Sequence, residues 1–327
     1  VIGCCGQCLC IIGIGLTAWL LEGKTAGWML LLLITLFSLA RGFNSVVSKD
    51  VLGKTIPKNQ RGQLTGWATS MAGLLSIAVG VLLILPVAGR LDESLLGVLL
   101  IGAGLLWLVA AAIYSRVPEP AGETGVGRSA LEALQRLNIL ISDKPFRRFV
   151  ITRALLMCSA LSAPFYVALA QQNYGSPAYL LGAFVISAGI ANLVSAPFWG
   201  RFADVSSKRV MIAAALVTSS AGLTTLLVDA QFHNLSATVW FLPVAYFVLM
   251  VAHSGVRVGR KTYVVNLASG NKRTDYVAIS NTTIGVLLLL VGTVGLLTPL
   301  VGNAGVIGLL ALMGLGGAAL GTSLPDV

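Results

Sequence analysis

GRFADVSSKRV, residues 200 to 210, is the most informative stretch of the sequence. It begins with Gly200, lies between two long apolar runs, and carries Asp204 ahead of the basic pair Lys208 and Arg209. Because Asp204 precedes Lys208 by four residues, one helical turn would bring their opposite charges together. The stretch therefore predicts a short polar loop that joins two apolar helices.

The composition predicts an integral membrane protein. Of the 327 residues, 56% are hydrophobic and only 10% are charged, and the mean hydropathy is +0.88. A soluble protein of this length could not bury so much apolar surface in one core. The alternative, a soluble helical bundle, would need charged helix faces, whereas successive runs of about 20 residues carry almost no charge.

Ten apolar runs in the sequence are long enough to cross a bilayer as helices. They cover about residues 1–20, 28–47, 64–87, 95–115, 149–171, 178–199, 209–229, 237–257, 277–299 and 303–321. The sequence therefore predicts an all-α membrane fold with an N-terminal bundle (1–115), a linker (116–148) and a C-terminal bundle (149–327).

The linker contains a candidate helix start. Ser129 and Glu132 have the S-x-x-E spacing of a capping box, and leucines follow at helical spacing. This pattern predicts a short amphipathic helix on the membrane surface. A disordered linker is the alternative.

The net charge of +10 reflects topology. Of the 22 Lys and Arg residues, 18 lie in or beside alternate loops, two lie on the other side, and Arg41 and Arg153 lie within spans. This asymmetry follows the positive-inside rule and predicts that both chain ends are cytoplasmic, in a plasma or inner membrane. The charge is therefore no argument for a nucleic-acid partner.

An internal repeat relates the two halves of the chain at an offset of 212 residues. The aligned identities include Lys49 with Lys261, Arg61 with Arg273, Gly73 with Gly285, and Gly80 with Gly292. Two parallel halves, related by an axis along the membrane normal, are predicted. Since the fifth and sixth spans have no counterparts, we expect a twelve-span protein without its first two spans. A complete ten-span protein is the alternative.

The pattern G-x-[apolar]-A-D-x-x-x-[RK]-[RK] between two spans resembles the signature loop of the major facilitator superfamily, in its second-half copy. Val205 and Ser207 replace a basic residue and a glycine of the family pattern. The resemblance implies a two-bundle helical transporter fold. It also implies a gating role, in which bonds between helices hold one access state, for Gly200, Asp204, Lys208 and Arg209.

Polar residues within spans are the candidates for a solute site, because a charge in hydrocarbon is costly and normally faces a cavity. The second span carries a polar stripe that includes Arg41, and the eighth carries one with His253 and Arg257. Since the repeat offset pairs Arg41 with His253, we expect the two stripes to line a shared cavity. Arg153 is the other charge within a span. The alternative is that these arginines extend to the headgroups.

Two further candidates come from local sequence patterns. Asn44 lies in ARGFNS, which partly resembles the R-x-x-Q-G element of proton-coupled drug exporters, with Asn44 and Ser45 in place of Gln and Gly. Tyr166 lies close to Pro164, which breaks a helical hydrogen bond in the fifth span. We expect both residues to contact the solute.

No Asp or Glu occupies the middle of any span. His253 is therefore a candidate proton carrier, since its charge changes near neutral pH; a hydrogen-bonded packing role is the alternative. A proton is accordingly one candidate coupling ion.

The cysteine-rich start, with Cys4, Cys5, Cys8 and Cys10, includes a C-x-x-C spacing. That spacing can indicate metal or redox chemistry, but in an apolar span thiols behave as small packing groups. We expect no signal peptide, no metal, no cofactor and no enzymatic activity. The prediction is a monomeric secondary active transporter that moves a small solute by alternating access. A non-transporting receptor or assembly subunit is the alternative.

Overall fold

The computed structural model describes residues 1–84, 93–118, 138–175, 178–236, 238–268 and 271–327. The surface helix predicted from Ser129 falls outside these ranges except for its end, where Ile139–Ser142 forms one helical turn. The following helix, Lys144–Leu155, is capped by Asp143, whose carboxylate accepts a hydrogen bond from the amide of Phe146 at 3.0 Å.

Throughout the described ranges the regular structure is helical, which confirms the all-α prediction. The main helices are α1 (Ile2–Leu20), α2 (Gly23–Thr55), α3 (Arg61–Ile84), α4 (Glu93–Tyr114), α5 (Lys144–Leu155), α6 (Cys158–Tyr174), α7 (Ala178–Gln231), α8 (Phe241–Leu267), α9 (Asn271–Val291) and α10 (Thr298–Thr322).

Seven helical stretches in the described chain are long and apolar enough to cross a membrane. Two of them, Tyr179–Gln231 and Lys272–Thr322, have 53 and 51 residues, more than twice the roughly 20 residues that a bilayer requires. The first is broken at Ser206, and the second is interrupted by a 3₁₀ segment, Gly292–Leu297. The chain is a multi-pass membrane protein, and the count of ten spans stays a prediction.

The chain forms two compact units. One comprises Val1–Thr55 with Pro86–Gly122, in which α1 packs on α2 and α4. The other comprises Ile56–Leu85 with Glu123–Val327, in which α7 packs on α3, α8 and α10. Helix α3 thus groups with the second unit because of its contacts with α7. The predicted division into bundles 1–115 and 149–327 stays a prediction.

Glycines bring α3 against α7. A Cβ atom on Gly73 would lie 2.6 Å from the carbonyl oxygen of Gly189, and one on Gly80 would lie 2.7 Å from Ile186 Cγ1. Small residues allow such close backbone contact where no hydrophobic force drives helices together in lipid. In α9 and the 3₁₀ segment, Gly285 and Gly292 have no atom within 4 Å of a Cβ position. These glycines therefore form a packing surface in α3, the first copy of the repeat, and not in the second copy.

The repeat reappears in a backbone contact made by two arginines. Arg61 Nε donates to the carbonyl of Ile56 at 3.0 Å, and Arg273 Nε donates to that of Ala268 at 3.3 Å. Donors and acceptors in the two contacts are both separated by the repeat offset. In each copy, the equivalent arginine thus donates a hydrogen bond to a backbone carbonyl at the end of the preceding segment. A duplicated unit predicts this correspondence.

The glycine contact predicts that the same substitution changes stability in opposite directions at two positions related by the repeat. Gly73→Ala should destabilise the protein by about 1–3 kcal/mol through overpacking against backbone. Gly285→Ala meets no atom and should be neutral or stabilising by up to about 1 kcal/mol, because alanine favours helix. Thermal unfolding in detergent compares the two variants. Equal shifts would contradict close packing at Gly73.

Candidate functional site

The segment predicted as a loop is a sharp break within α7. Ser206 is the one residue there with non-helical dihedrals (φ −159°, ψ 103°), and its hydroxyl oxygen accepts a hydrogen bond from the amide of Arg209 at 3.3 Å. This is the geometry of an N-cap, so Ser206 begins the second half of α7. We call residues 178–205 α7a and residues 207–231 α7b.

Asp204, at the end of α7a, binds the beginning of α3. Its Oδ1 accepts from the amide of Gly62 at 2.6 Å, and its Oδ2 accepts from the amide of Gln63 at 2.7 Å. First-turn amides have no partner within their own helix and lie at the positive end of the helix dipole. The carboxylate therefore acts as a cap for α3, supplied by another helix.

The predicted pairing of Asp204 with Lys208 is wrong. The break at Ser206 removes the continuous helix that four-residue spacing requires. Lys208 Nζ instead lies 3.9 Å from a carboxylate oxygen of Asp326, whose side chain is exposed. A pair at this distance with one partner in water adds little stability. The side chain of Arg209 is exposed.

Gly200 and Gly62 allow the Asp204 contact to form. A Cβ atom on Gly200 would lie 2.5 Å from the carbonyl oxygen of Gly62, and one on Gly62 would lie 2.7 Å from Asp204 Oδ1. Any larger residue at either position would separate the two helices. Close backbone approach at this crossing is therefore a condition for the carboxylate to reach the amides.

A second contact to the first turn of α3 comes from α8. Arg61 Nη1 donates to Asn266 Oδ1 at 2.9 Å. Nothing in the spacing of the sequence pairs Arg61 with Asn266, so this contact was not predicted. The contacts of Asp204 and Asn266 hold the start of α3 to both α7a and α8, and together we call them the α3 latch.

Arg153 lies between helices of the second unit. Its Nη1 donates to Ser280 Oγ at 2.5 Å and its Nη2 donates to Asn281 Oδ1 at 3.0 Å. Both acceptors are neutral and both belong to α9. The guanidinium is thus directed into the protein, which excludes, in this conformation, the alternative that it extends to the headgroups.

His253 and Arg257 also contact neighbouring helices of the same unit. His253 Nδ1 lies 3.1 Å from Ser159 Oγ in α6, and Arg257 Nη2 lies 3.4 Å from Thr69 Oγ1 in α3. Arg153, His253 and Arg257, all predicted from the sequence as site residues, therefore face other helices of this unit.

Tyr166 lies in the core of the second unit. Its side chain is fully buried, its hydroxyl oxygen is 3.1 Å from Thr225 Oγ1, and its ring meets Tyr246 edge-on at 6.3 Å. The solute contact predicted at Tyr166 stays a prediction, and it would require one of the surrounding helices to move.

Arg41 and Asn44 lie on α2 in the first unit. Asn44 Nδ2 donates to Gln7 Oε1 at 2.8 Å and contacts Cys4 Sγ at 3.2 Å, so it joins α2 to α1. Arg41 is exposed. Their solute contacts stay predictions.

The cysteines at the chain start are free thiols, and Cys4, Cys8 and Cys10 are buried. Among the described residues, no group of three or more His, Cys, Asp or Glu side chains is arranged to hold a metal ion.

Arg260 is a residue that the sequence analysis assigned to a loop. The eighth span was predicted to end at residue 257, but α8 continues to Leu267 and includes Arg260. The length of α8 was underestimated because Arg257, Arg260 and Lys261 resemble the charged flank of a span. The helical spacing of Arg257 and Arg260 could have predicted that the helix continues past residue 257.

Comparison with known proteins agrees with the fold. The sequence profile of the Major Facilitator Superfamily matches residues 2–283. The chain belongs to this superfamily, and it is a secondary transporter. No curated protein gives a significant match.

Two solved structures share the fold. One is a bacterial homologue of the iron transporter ferroportin in an outward-facing state, with TM-score 0.68, 14% identity, and coverage of 98% of this chain and 80% of that chain. The other is the human organic anion transporter MFSD10, with TM-score 0.62, 14% identity, and coverage of 96% and 76%. No observation favours the alternative of a non-transporting receptor or assembly subunit.

The capping contact predicts slow exchange at two amides. In Asp204→Ala, the amides of Gly62 and Gln63 should exchange with solvent about tenfold faster or more, since a hydrogen bond to a charged group contributes about 1.5–3 kcal/mol. Hydrogen exchange read by mass spectrometry measures the change. Asp326→Ala removes an exposed carboxylate as the control. Unchanged exchange in Asp204→Ala would show that the contact does not protect α3.

Proposed function

We propose that this transporter works by alternating access, with the α3 latch as its gate on the cytoplasmic side. The observation that carries the proposal is the carboxylate of Asp204 on two free amides of α3. In the predicted bundles, α3 belongs to residues 1–115 and α7 to residues 149–327. The latch therefore joins elements that must separate for the transporter to open toward the cytoplasm.

The free energy that holds the α3 latch closed is small enough for the latch to open and close reversibly. Its hydrogen bonds involve a carboxylate and a guanidinium, each worth about 1.5–3 kcal/mol where they are protected from water. On opening, water at the membrane surface can bind the same donors and acceptors, which reduces the net cost. The glycine surface of α3 adds close contact without interlocking side chains. A closed latch thus corresponds to the state that is accessible from the opposite side.

The other residues of the signature segment act on the latch. Gly200 permits the close approach, and Lys208 and Arg209 place positive charge just beyond Asp204 at the headgroup level. Both chain ends lie in the cytoplasm, the membrane is the plasma or inner membrane, and the transporter works as a monomer. The proposed cycle contains no catalytic step.

The solute site includes Arg153, His253 and Arg257 of the second unit. Arg41, Asn44 and Tyr166 complete the predicted set. Arg41 is included through the sequence repeat, and Asn44 through the partial resemblance to the R-x-x-Q-G element. One similar structure is an organic anion transporter and the other is a homologue of an iron transporter. At 14% identity these likenesses establish the fold alone, so the chemistry of this chain's own residues must indicate the solute.

The coupling ion in this proposal is a proton carried by His253. The middle of α8 has no carboxylate, and His253 is the histidine there, a residue type that can take up and release a proton in transport. Its contact with Ser159 fixes the ring orientation, and Ser159 also donates to the carbonyl of Leu156 at 3.1 Å. Nδ1–H of His253 then donates to Ser159, which leaves Nε2 to take up the proton.

Gating by Asp204 is tested by distance measurement across the latch. Spin labels at the exposed positions Asn59 and Arg201, in a protein whose five native cysteines are replaced by alanine, report the separation of α3 from α7a. Asp204→Ala should raise the ratio of the longer to the shorter distance about tenfold or more. Asp326→Ala should leave it unchanged. Identical distributions in Asp204→Ala and the parent would refute the gate.

Proton coupling is tested in vesicles that contain the pH-sensitive dye pyranine. Inorganic phosphate, succinate, tetraethylammonium and Mn²⁺ are applied in turn to find a solute that moves protons with the native protein. In His253→Gln this solute should still exchange across the membrane but should no longer move protons. His233→Gln, which alters the chain's other histidine, should behave as the native protein. Proton movement that persists in His253→Gln would contradict the assignment.

A further inference from the structure

A cluster of basic side chains lies inside the second unit. On α8, His253, Arg257 and Arg260 follow each other at steps of four and three residues, so they share one helical face. Phe149 of α5 stacks its ring on Tyr263 of α8 at 5.0 Å, and Ser159 of α6 meets His253 at 3.1 Å. Arg153 lies between Phe149 and Ser159, and Arg260 lies between Tyr263 and His253, so the two arginines occupy the same level of neighbouring helices. Two helices thus direct positive charge toward one region.

Two arginines of this cluster have unused hydrogen-bond donors. A guanidinium carries five N–H donors, and the described bonds of Arg153 use only Nη1 and Nη2. Its buried Nε has no acceptor among the described residues. Arg260 forms no hydrogen bond or ion pair within the described part of the chain, although it is only partly exposed. Both groups therefore retain donors for a ligand.

Arg153 and Arg260 have no carboxylate partner within the described part of the chain. Helices α5, α6 and α8 contain no Asp or Glu. Helix α9 carries one carboxylate, Asp275, and among the described residues it forms no ion pair with Arg153 or Arg260. An uncompensated charge away from water is unfavourable and is normally paired. Two nearby guanidinium groups without a described carboxylate partner are therefore a setting in which an anion would be stabilised by both.

We propose that Arg153 and Arg260 bind a carboxylate or phosphate group of an anionic solute. This inference rests on the proposed transport function and identifies the class of solute that the transporter's solute site binds. The planar guanidinium matches the geometry of an oxyanion and can donate two parallel hydrogen bonds to it. Ser280 and Asn281 hold Arg153 in place, and His253 adds a donor when it is protonated. A cationic solute would be repelled by the same groups.

The ligand in this proposal is a solute rather than a lipid headgroup. Arg153 is held by hydrogen bonds to α9, and Arg260 lies seven residues before the end of α8. Both side chains are partly buried among helices of the unit. A phosphate on a lipid would have to leave the bilayer surface to reach them.

The test is binding to the purified full-length transporter in maltoside detergent, which contains no phosphate. Inorganic phosphate and succinate, titrated separately, should each raise the thermal unfolding temperature in a saturable way, since a ligand that binds only the folded state stabilises it. Arg153→Gln and Arg260→Gln should weaken the apparent affinity at least about tenfold. Arg148→Gln removes an exposed arginine from the same helix as Arg153 and should have no effect.

A second readout separates binding from a structural role. Without anion, Arg260→Gln should unfold at the same or a higher temperature than the native protein, because it removes one of three arginine charges that repel each other. An arginine that only supports the fold would give a lower temperature. If Arg153→Gln fails to fold, Arg153→Lys keeps the charge but loses the paired donors, and it should still weaken anion binding.

Three outcomes would overturn the inference. The first is that neither phosphate nor succinate stabilises the protein, and the second is that both still stabilise Arg153→Gln and Arg260→Gln as they do the native protein. The third is that dioleoylphosphatidylglycerol binds saturably and displaces both anions, which identifies a lipid site. None of these affects the spin-label result for Asp204, so failure of the anion site is distinguishable from failure of the proposed gate.

Discussion

The structure of the second unit depends on the contact between the carboxylate of Asp204 and two amides at the start of α3. Apolar helices attract each other weakly in lipid, so a polar contact at one end and close packing along the length must together fix their position. The glycines of α3 supply the packing and bring the backbone near enough for the polar contact. Neither feature would hold α3 at this position without the other.

Much of this arrangement follows from the sequence because membrane proteins obey strong constraints. Apolar runs must form helices, since backbone groups have no other partners in hydrocarbon, and the signature segment identified the family. The repeat at 212 residues predicted the equivalence of Arg61 and Arg273, and both make the same backbone contact. Local chemistry and periodicity were sufficient for these features.

Other features could not be read from the sequence because they depend on contacts between distant segments. Spacing suggested Lys208 as the partner of Asp204, but the extended conformation of Ser206 ends the helix between them and leaves the carboxylate to the amides of α3. Arg61 meets Asn266, 205 residues away in the chain. Likewise, Arg260 resembled a loop charge until α8 was seen to continue to Leu267.

The proposed anion site and the proposed proton carrier are linked by their charges. His253, Arg257 and Arg260 share one face of α8, so a protonated His253 would add a third positive charge to two that already repel each other. A bound anion offsets that repulsion and favours the protonated ring, and protonation in turn strengthens anion binding. Thermodynamic linkage requires the two effects to be equal. Anion and proton would therefore bind together and cross together, without any contact to the latch.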